Sequence, residues 1–143
     1  MKFYVGIQHF CRRGSNRKGK LGIDQRLVVA SRIAAVTIFA NRFAVWTGIN
    51  KGEMPEEDIF IQELCKGYEN TNGREFEIST KVIEEALDTG LFSSRGLNRM
   101  GWAHQTYAEF LAAWYLTQHE IPLAQVMDDA CLGVKSRSEE KLC

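Results

Sequence analysis

GWAHQTYAEFLAAWYL, residues 101–116, sets the reading of the chain. Thr106, followed three residues later by Glu109, has the spacing of a capping box, in which hydroxyl and carboxylate each satisfy a free amide of the first helical turn. The pattern predicts a helix to about Gln118, with Phe110, Ala113, Trp114 and Thr117 along one side. His104 lies two residues before that cap, near amides able to hold an anion. The plain alternative is that its imidazole hydrogen-bonds locally and orients the turn.

Upstream, LFSSRGLNRMGW (Leu91–Trp102) holds two short extended pieces around Arg95-Gly96-Leu97-Asn98, a hairpin turn. Thr80 is placed to cap a helix over about 81–89, with Val82, Ile83, Ala86 and Leu87 inward and Gly90 stopping it in the left-handed conformation. Phe76 and Ile78 alternate with polar residues as a short extended piece, and residues 69–73, ENTNG, are turn chemistry. Pro55 can open a helix whose first turn holds Glu56, Glu57 and Asp58 and whose buried side holds Ile59, Ile61, Leu64 and Cys65. Asp24 is positioned to cap a long apolar helix over about 25–46, with Ile33, Val36, Ala40 and Phe43 in helical spacing. Residues 2–11 are apolar and aromatic, a strand or the end of a broken element. Downstream, Pro122 starts a short helix with Leu123, Val126, Met127 and Ala130 inward. The expected fold class is mainly α with a small β-hairpin, a winged-helix-like helical domain. Residues 1–22 form an N-terminal segment and basic loop, read as the remnant of a preceding domain; 23–132 form the helical domain and 133–143 a polar tail.

The 143 residues suffice for one domain with a real core. Net charge is zero, so global charge suggests neither a nucleic-acid nor an acidic-membrane partner. Nine Lys/Arg against one acid, Asp24, fall in residues 1–42, and the remainder is correspondingly acidic. Either this marks a basic face or the two halves neutralise each other in the fold. The four cysteines are far apart, without ligand spacing, and read as reduced thiols in a cytoplasmic protein. The most apolar run, Leu27–Trp46, is interrupted by Arg32, Asn41 and Arg42 on different helical faces, which argues against a membrane span.

GSNRKGKL (Gly14–Leu21) has the G-x-x-x-x-G-K spacing of a phosphate loop. A working loop needs a Ser or Thr hydroxyl next, to hold magnesium, and Leu21 stands there. The stretch reads instead as a basic loop before a helix. Without a Ser/His/Asp or Cys/His grouping, a metal cluster or an acidic Walker-B strand, no enzyme activity is expected of the chain.

The run W-A-H-Q-T-Y-A-E-F-L-A-A-W-Y-L resembles the signature near the end of the NACHT module of STAND-class signalling NTPases. There an aromatic or apolar residue, then a His, a Ser/Thr and Glu-Phe-Leu-Ala-Ala recur, followed by an aromatic-Leu pair. Leu87–Phe92 also looks like the family's lead into its wing, and Arg26–Ala35 is similar to the helix before it. The resemblance covers roughly residues 20–130. It implies a winged-helix region following an ATPase core, with His104 in the position that reaches the terminal phosphate of bound ADP. Thr106 and Glu109 match as the supporting cap, and Phe110–Ala113 as packing, the two alanines allowing close approach of another helix. The core itself is missing, so the chain is expected to be a fragment with no cofactor of its own; ATP or ADP would belong to the parent. The implied partner is a nucleotide-binding core of the same or a companion chain, and an oligomeric parent is compatible with this. Signal transduction or antiviral defence is the implied role. The alternative is a free-standing winged-helix nucleic-acid binder. Residues 53–90 argue against it, with eleven acids and three bases, leaving Arg95 and Arg99 as its only favourable features.

Overall fold

Helix α1 (Ile23–Phe39) lies at the centre of the fold in the computed structural model, which describes residues 6–7, 21–122 and 124. Leu27, Val29, Ala30, Ile33, Ala34 and Ala35 are all buried, so the helix is enclosed on most sides. Its N-cap is Gly22, not Asp24; the Gly22 amide donates to Gln25 Oε1 at 2.9 Å. Asp24 falls in the first turn and accepts from Asn72 Nδ2 at 3.1 Å.

The chain is mixed α/β rather than mainly α. The long helix expected over 25–46 stops at Phe39, because Asn41 turns the chain with φ 53°. The chain then enters strand β1 (Ala44–Trp46), buried along its whole length. A strand covered on both faces reads as a continuous apolar run, which is why it merged with the helix in the sequence pattern. Ala40 and Phe43, which continue the helical spacing of Ile33 and Val36 in the sequence, lie beyond the helix and are exposed.

Pro55 opens a turn instead of a helix. Strand β2 (Ile59–Phe60) comes next, then the single turn α2 (Ile61–Leu64). β3 (Tyr68–Thr71) and β4 (Arg74–Glu77) form a separate antiparallel hairpin. Its turn is Asn72-Gly73, with φ 52° and 76°; two positive values select Asn-Gly at a two-residue hairpin turn. Helix α3 (Thr80–Leu87) is capped by Ser79, one residue before the expected Thr80, with Ile83, Ala86 and Leu87 buried as expected and Val82 only partly. Gly90 is not left-handed, and the helix end is closed by the Thr89 hydroxyl donating to the Ala86 carbonyl at 2.7 Å.

β5 (Phe92–Ser94) and β6 (Arg99–Trp102) make the expected hairpin around residues 95–98, with Gly96 and Asn98 at positive φ. The hairpin belongs to a four-stranded sheet in the order β2-β1-β6-β5, where β1 pairs parallel with β2 and antiparallel with β6. Helix α4 (Gln105–Gln118) ends where expected and packs most extensively on α1. Its buried residues are Ala108, Leu111 and Ala112, while Ala113 and Thr117 are exposed. Of the expected alanine pair, only Ala112 is buried in the core. Trp102 ties the sheet to α1: its indole N–H donates to Thr37 Oγ1 at 3.1 Å, and that hydroxyl donates to the Ile33 carbonyl at 2.8 Å.

Gly6 and Ile7 are helical, not extended, and Ile7 is fully buried in the core. The rest of 2–11, the loop Gly14–Lys20, most of the expected helix after Pro122 and the tail lie outside the described residues. Among the described residues no helix is long and apolar enough to cross a membrane.

Candidate docking site at the start of α4

Strand β6 delivers the chain directly to His104, with the Ala103 amide donating to the Leu91 carbonyl at 2.9 Å. His104 is itself the N-cap of α4, with φ −135° and ψ 117°, and its carbonyl accepts the amides of Tyr107 and Ala108 at 3.1 and 3.3 Å. The capping box expected at Thr106 and Glu109 is therefore displaced. Gln105 is the first helical residue, which puts Thr106 at the second position and Glu109 a full turn inside. Both are exposed. A Thr hydroxyl can bond a first-turn amide only from the cap position, and the backbone turns two residues earlier. The His104 imidazole makes no capping bond; its ring meets Tyr107 edge-on at 5.3 Å between centroids. Like the ring of His104, the side chains of Gln105 and Thr106 face solvent.

Beside this corner lies an open cleft of about 860 Å³, lined in part by Arg42, Arg95, Arg99, Trp102, Gln105 and Glu109. Its guanidinium groups are engaged in the fold. Arg42 Nη1 donates to the Glu56 carbonyl at 2.9 Å, and Arg95 Nη2 donates to the Trp102 carbonyl. Arg95 lies across Gly101, where an added Cβ would sit 2.7 Å from its Cγ, so the β5–β6 hairpin needs glycine there. Arg99 grips Asp58 through Nε at 2.6 Å and Nη2 at 2.8 Å, and reaches Glu57 at 3.3 Å. Its pKa is raised, first by the hydrogen bond to Asp58, against the opposing effect of burial. The Asp58 side chain has no exposure, and Arg99 keeps about 20%. This pair joins the turn before β2 to the start of β6, across β1.

A second polar centre escaped the sequence reading. Glu69, on β3, is 3% exposed. Its Oε1 accepts from Arg32 Nη1 at 2.8 Å and from the Tyr115 hydroxyl at 2.7 Å, while Oε2 meets His119 Nε2 at 2.8 Å. Arg32 also donates to the Lys66 carbonyl. One carboxylate thus links α1, β3 and α4. The only local signal was Tyr115 and His119 at i and i+4 on one helix, and nothing local announced their partner.

Burial, then the hydrogen bond to Glu69, raises the Tyr115 pKa above its ordinary value near 10. The folded state therefore favours the neutral phenol. Its contribution is fully present below about pH 10 and is lost as pH rises and the unfolded chain ionises first. Tyr115→Phe should cost roughly 1.5–3 kcal/mol at pH 8, the worth of a hydrogen bond to a charged group. Urea unfolding should show that deficit shrinking by about pH 11; a constant deficit would count against this placement of the phenol.

Among the described residues no group of three or more His, Cys, Asp or Glu is placed to hold a metal. Comparison with known proteins finds no matching family, no matching curated protein and no matching solved structure.

Proposed function

We propose that this chain is the regulatory winged-helix portion of a NACHT-type STAND signalling ATPase, docking on a nucleotide-binding core and performing no chemistry alone. The observation that carries the reading is His104, exposed at the N-cap of a helix of 14 residues with its imidazole outside the capping role. From there a ring N–H can donate to a terminal phosphate, and the first-turn amides add a favourable dipole. In the resemblance around residues 101–116, the family's phosphate-reaching His falls at the same position.

The chain path supports the winged part of the reading. The β5–β6 hairpin follows α3 and folds back so that β6 lies between β5 and β1. Strands β1 and β2, the single turn α2 and the β3–β4 hairpin are additions to three helices and a two-stranded wing. Thr106 and Glu109, exposed beside His104, would meet the surface of the core rather than cap the helix. The nucleotide would be ADP in the resting state, held by a core of the same protein or of a companion chain. Its loss or exchange would then bias a two-state domain arrangement. A cytoplasmic place and a part in signalling or antiviral defence follow from the same resemblance.

A nucleic-acid-binding role is less favoured. α3 carries Glu84 and Glu85 with Asp88 at its end, and Arg99 of the wing is committed to Asp58. In calorimetry the isolated chain should show no saturable binding of ATP or ADP. Micromolar binding would mean that it has a nucleotide site of its own and would overturn the docking role.

A further inference from the structure

Asn72-Gly73 is the only Asn-Gly step in the chain, and it forms the two-residue turn of the β3–β4 hairpin. At such a step the main-chain nitrogen after the asparagine can attack the side-chain carboxamide, because glycine has no Cβ to obstruct the approach. The surroundings of this turn leave that path open. Asn72 and Gly73 are both exposed. Among the described residues the Gly73 amide donates no hydrogen bond. A Cβ built on Gly73 would meet nothing within 4 Å, so there is room for the reacting groups and for water.

The Asn72 side chain is also a contact between elements. Its Nδ2 donates to Asp24 Oδ2 at 3.1 Å, in the first turn of α1. The two residues line one side of a cleft of about 400 Å³, with Trp114 and Gln118 of α4 also in its wall. Deeper in the hairpin, Glu69 holds β3 to Arg32 of α1 at 2.8 Å. The Asn72–Asp24 bond lies beyond that pair and ties the hairpin tip to α1.

We propose that Asn72 is a site of spontaneous deamidation, and that its conversion to a carboxylate releases the hairpin tip from the first turn of α1. The Gly73 nitrogen bonds to Cγ of Asn72, the Cγ–Nδ2 bond breaks, and ammonia leaves with the Gly73 amide proton. Water then opens the cyclic imide at either carbonyl, giving aspartate or isoaspartate. Either product replaces a carboxamide donor by a carboxylate, which only accepts when ionised. It faces the Asp24 carboxylate, so like charges repel where a hydrogen bond held before. Isoaspartate also lengthens the main chain by a carbon atom, in a turn whose positive φ values at Asn72 and Gly73 suit a two-residue connection. The Thr71–Arg74 pair beside the turn feels this first. The Glu69–Arg32 contact remains, so the release ends short of it. None of this depends on the docking role of His104.

The test is incubation of the whole chain in mildly alkaline buffer at body temperature, followed by peptide mass mapping. Asn72 should convert severalfold faster than the exposed Asn41, Asn50 and Asn98, which precede Arg42, Lys51 and Arg99, and isoaspartate should exceed aspartate. Conversion of Asn72 no faster than theirs would overturn the site. Asn72→Asp reproduces one product directly. Amide exchange at Thr71 and Arg74 should then quicken severalfold, while Glu69 and Phe76, paired deeper in the hairpin, keep their protection. Asp24→Asn combined with Asn72→Asp swaps donor and acceptor and should restore the original exchange. Unchanged exchange in the single variant, or no recovery in the double one, would overturn the release.

Discussion

Arg99→Ala is expected to destabilise the fold by about 3–5 kcal/mol, because it strands a buried charge. Asp58 has a fully buried carboxylate, and Arg99 supplies both of its short hydrogen bonds. Removing the guanidinium leaves the buried carboxylate without the partner of both its short hydrogen bonds. The reverse substitution is asymmetric. After Asp58→Ala, Arg99 keeps Glu57 at 3.3 Å and its partial exposure, so the expected cost is about 1–2 kcal/mol. The double variant should lose less than the two single losses together, since neither partner is then stranded. Urea unfolding of the three variants measures all of this. Equal single losses with an additive double would mean that the pair does not act as a buried ion pair.

Glu69→Ala is expected to cost about 3 kcal/mol for a related reason. Arg32, Tyr115 and His119 all point donors at this one carboxylate, and the side chains of Arg32 and His119 keep 17% and 34% exposure. Partial access to water keeps the loss below that of a fully buried pair. Glu69→Gln should lose about half as much. Its carbonyl oxygen can replace Oε1 for Arg32 and Tyr115, but its amide then meets His119 with donors. Because the carboxylate joins three elements, the loss should appear as loosening of α4 against α1, read by amide exchange along α4. Exchange confined to the β3–β4 hairpin would show that Glu69 only steadies its own strand.

Short-range chemistry was the legible part of this fold. The turns at Asn72-Gly73 and residues 95–98 announce themselves, because positive φ at Asn72, Gly73, Gly96 and Asn98 demands those residue types, although Glu69–Thr71, expected in the first turn, pair as part of β3. The end of α4 at Gln118 and the inward residues of α3 follow from helical spacing. Strand pairing is different. β1 is three buried residues whose partners lie about 14 and 55 positions away, at Ile59–Phe60 and Arg99–Gly101. An apolar triplet next to an apolar helix carries no sign of that pairing. Likewise Glu56, Glu57 and Asp58 after Pro55 resemble an acidic first turn, but Asp58 is drawn inward by an arginine 41 residues on.

The candidate site shows the same division. His104 is at the start of a helix, as its sequence context indicates. The cap pattern at Thr106 and Glu109 sits two residues too late, because β6 pairs with β1 as far as Gly101 and with β5 as far as Trp102, and the chain turns at once. Where a sheet ends depends on its partners, and those are distant in sequence. Glu69 was hidden by the same cause. In a turn-rich stretch an acid reads as solvated, and only the packing of α1 and α4 over β3 buries it.

The central claim is that His104 links this domain to a nucleotide held elsewhere. The direct measurement is the dissociation rate of ADP from a complex of the chain with the nucleotide-binding core that the proposal requires, compared between the unaltered protein and His104→Ala. Loss of a charge-assisted contact to the terminal phosphate should speed ADP release by roughly tenfold or more. An identical rate in the variant would contradict it.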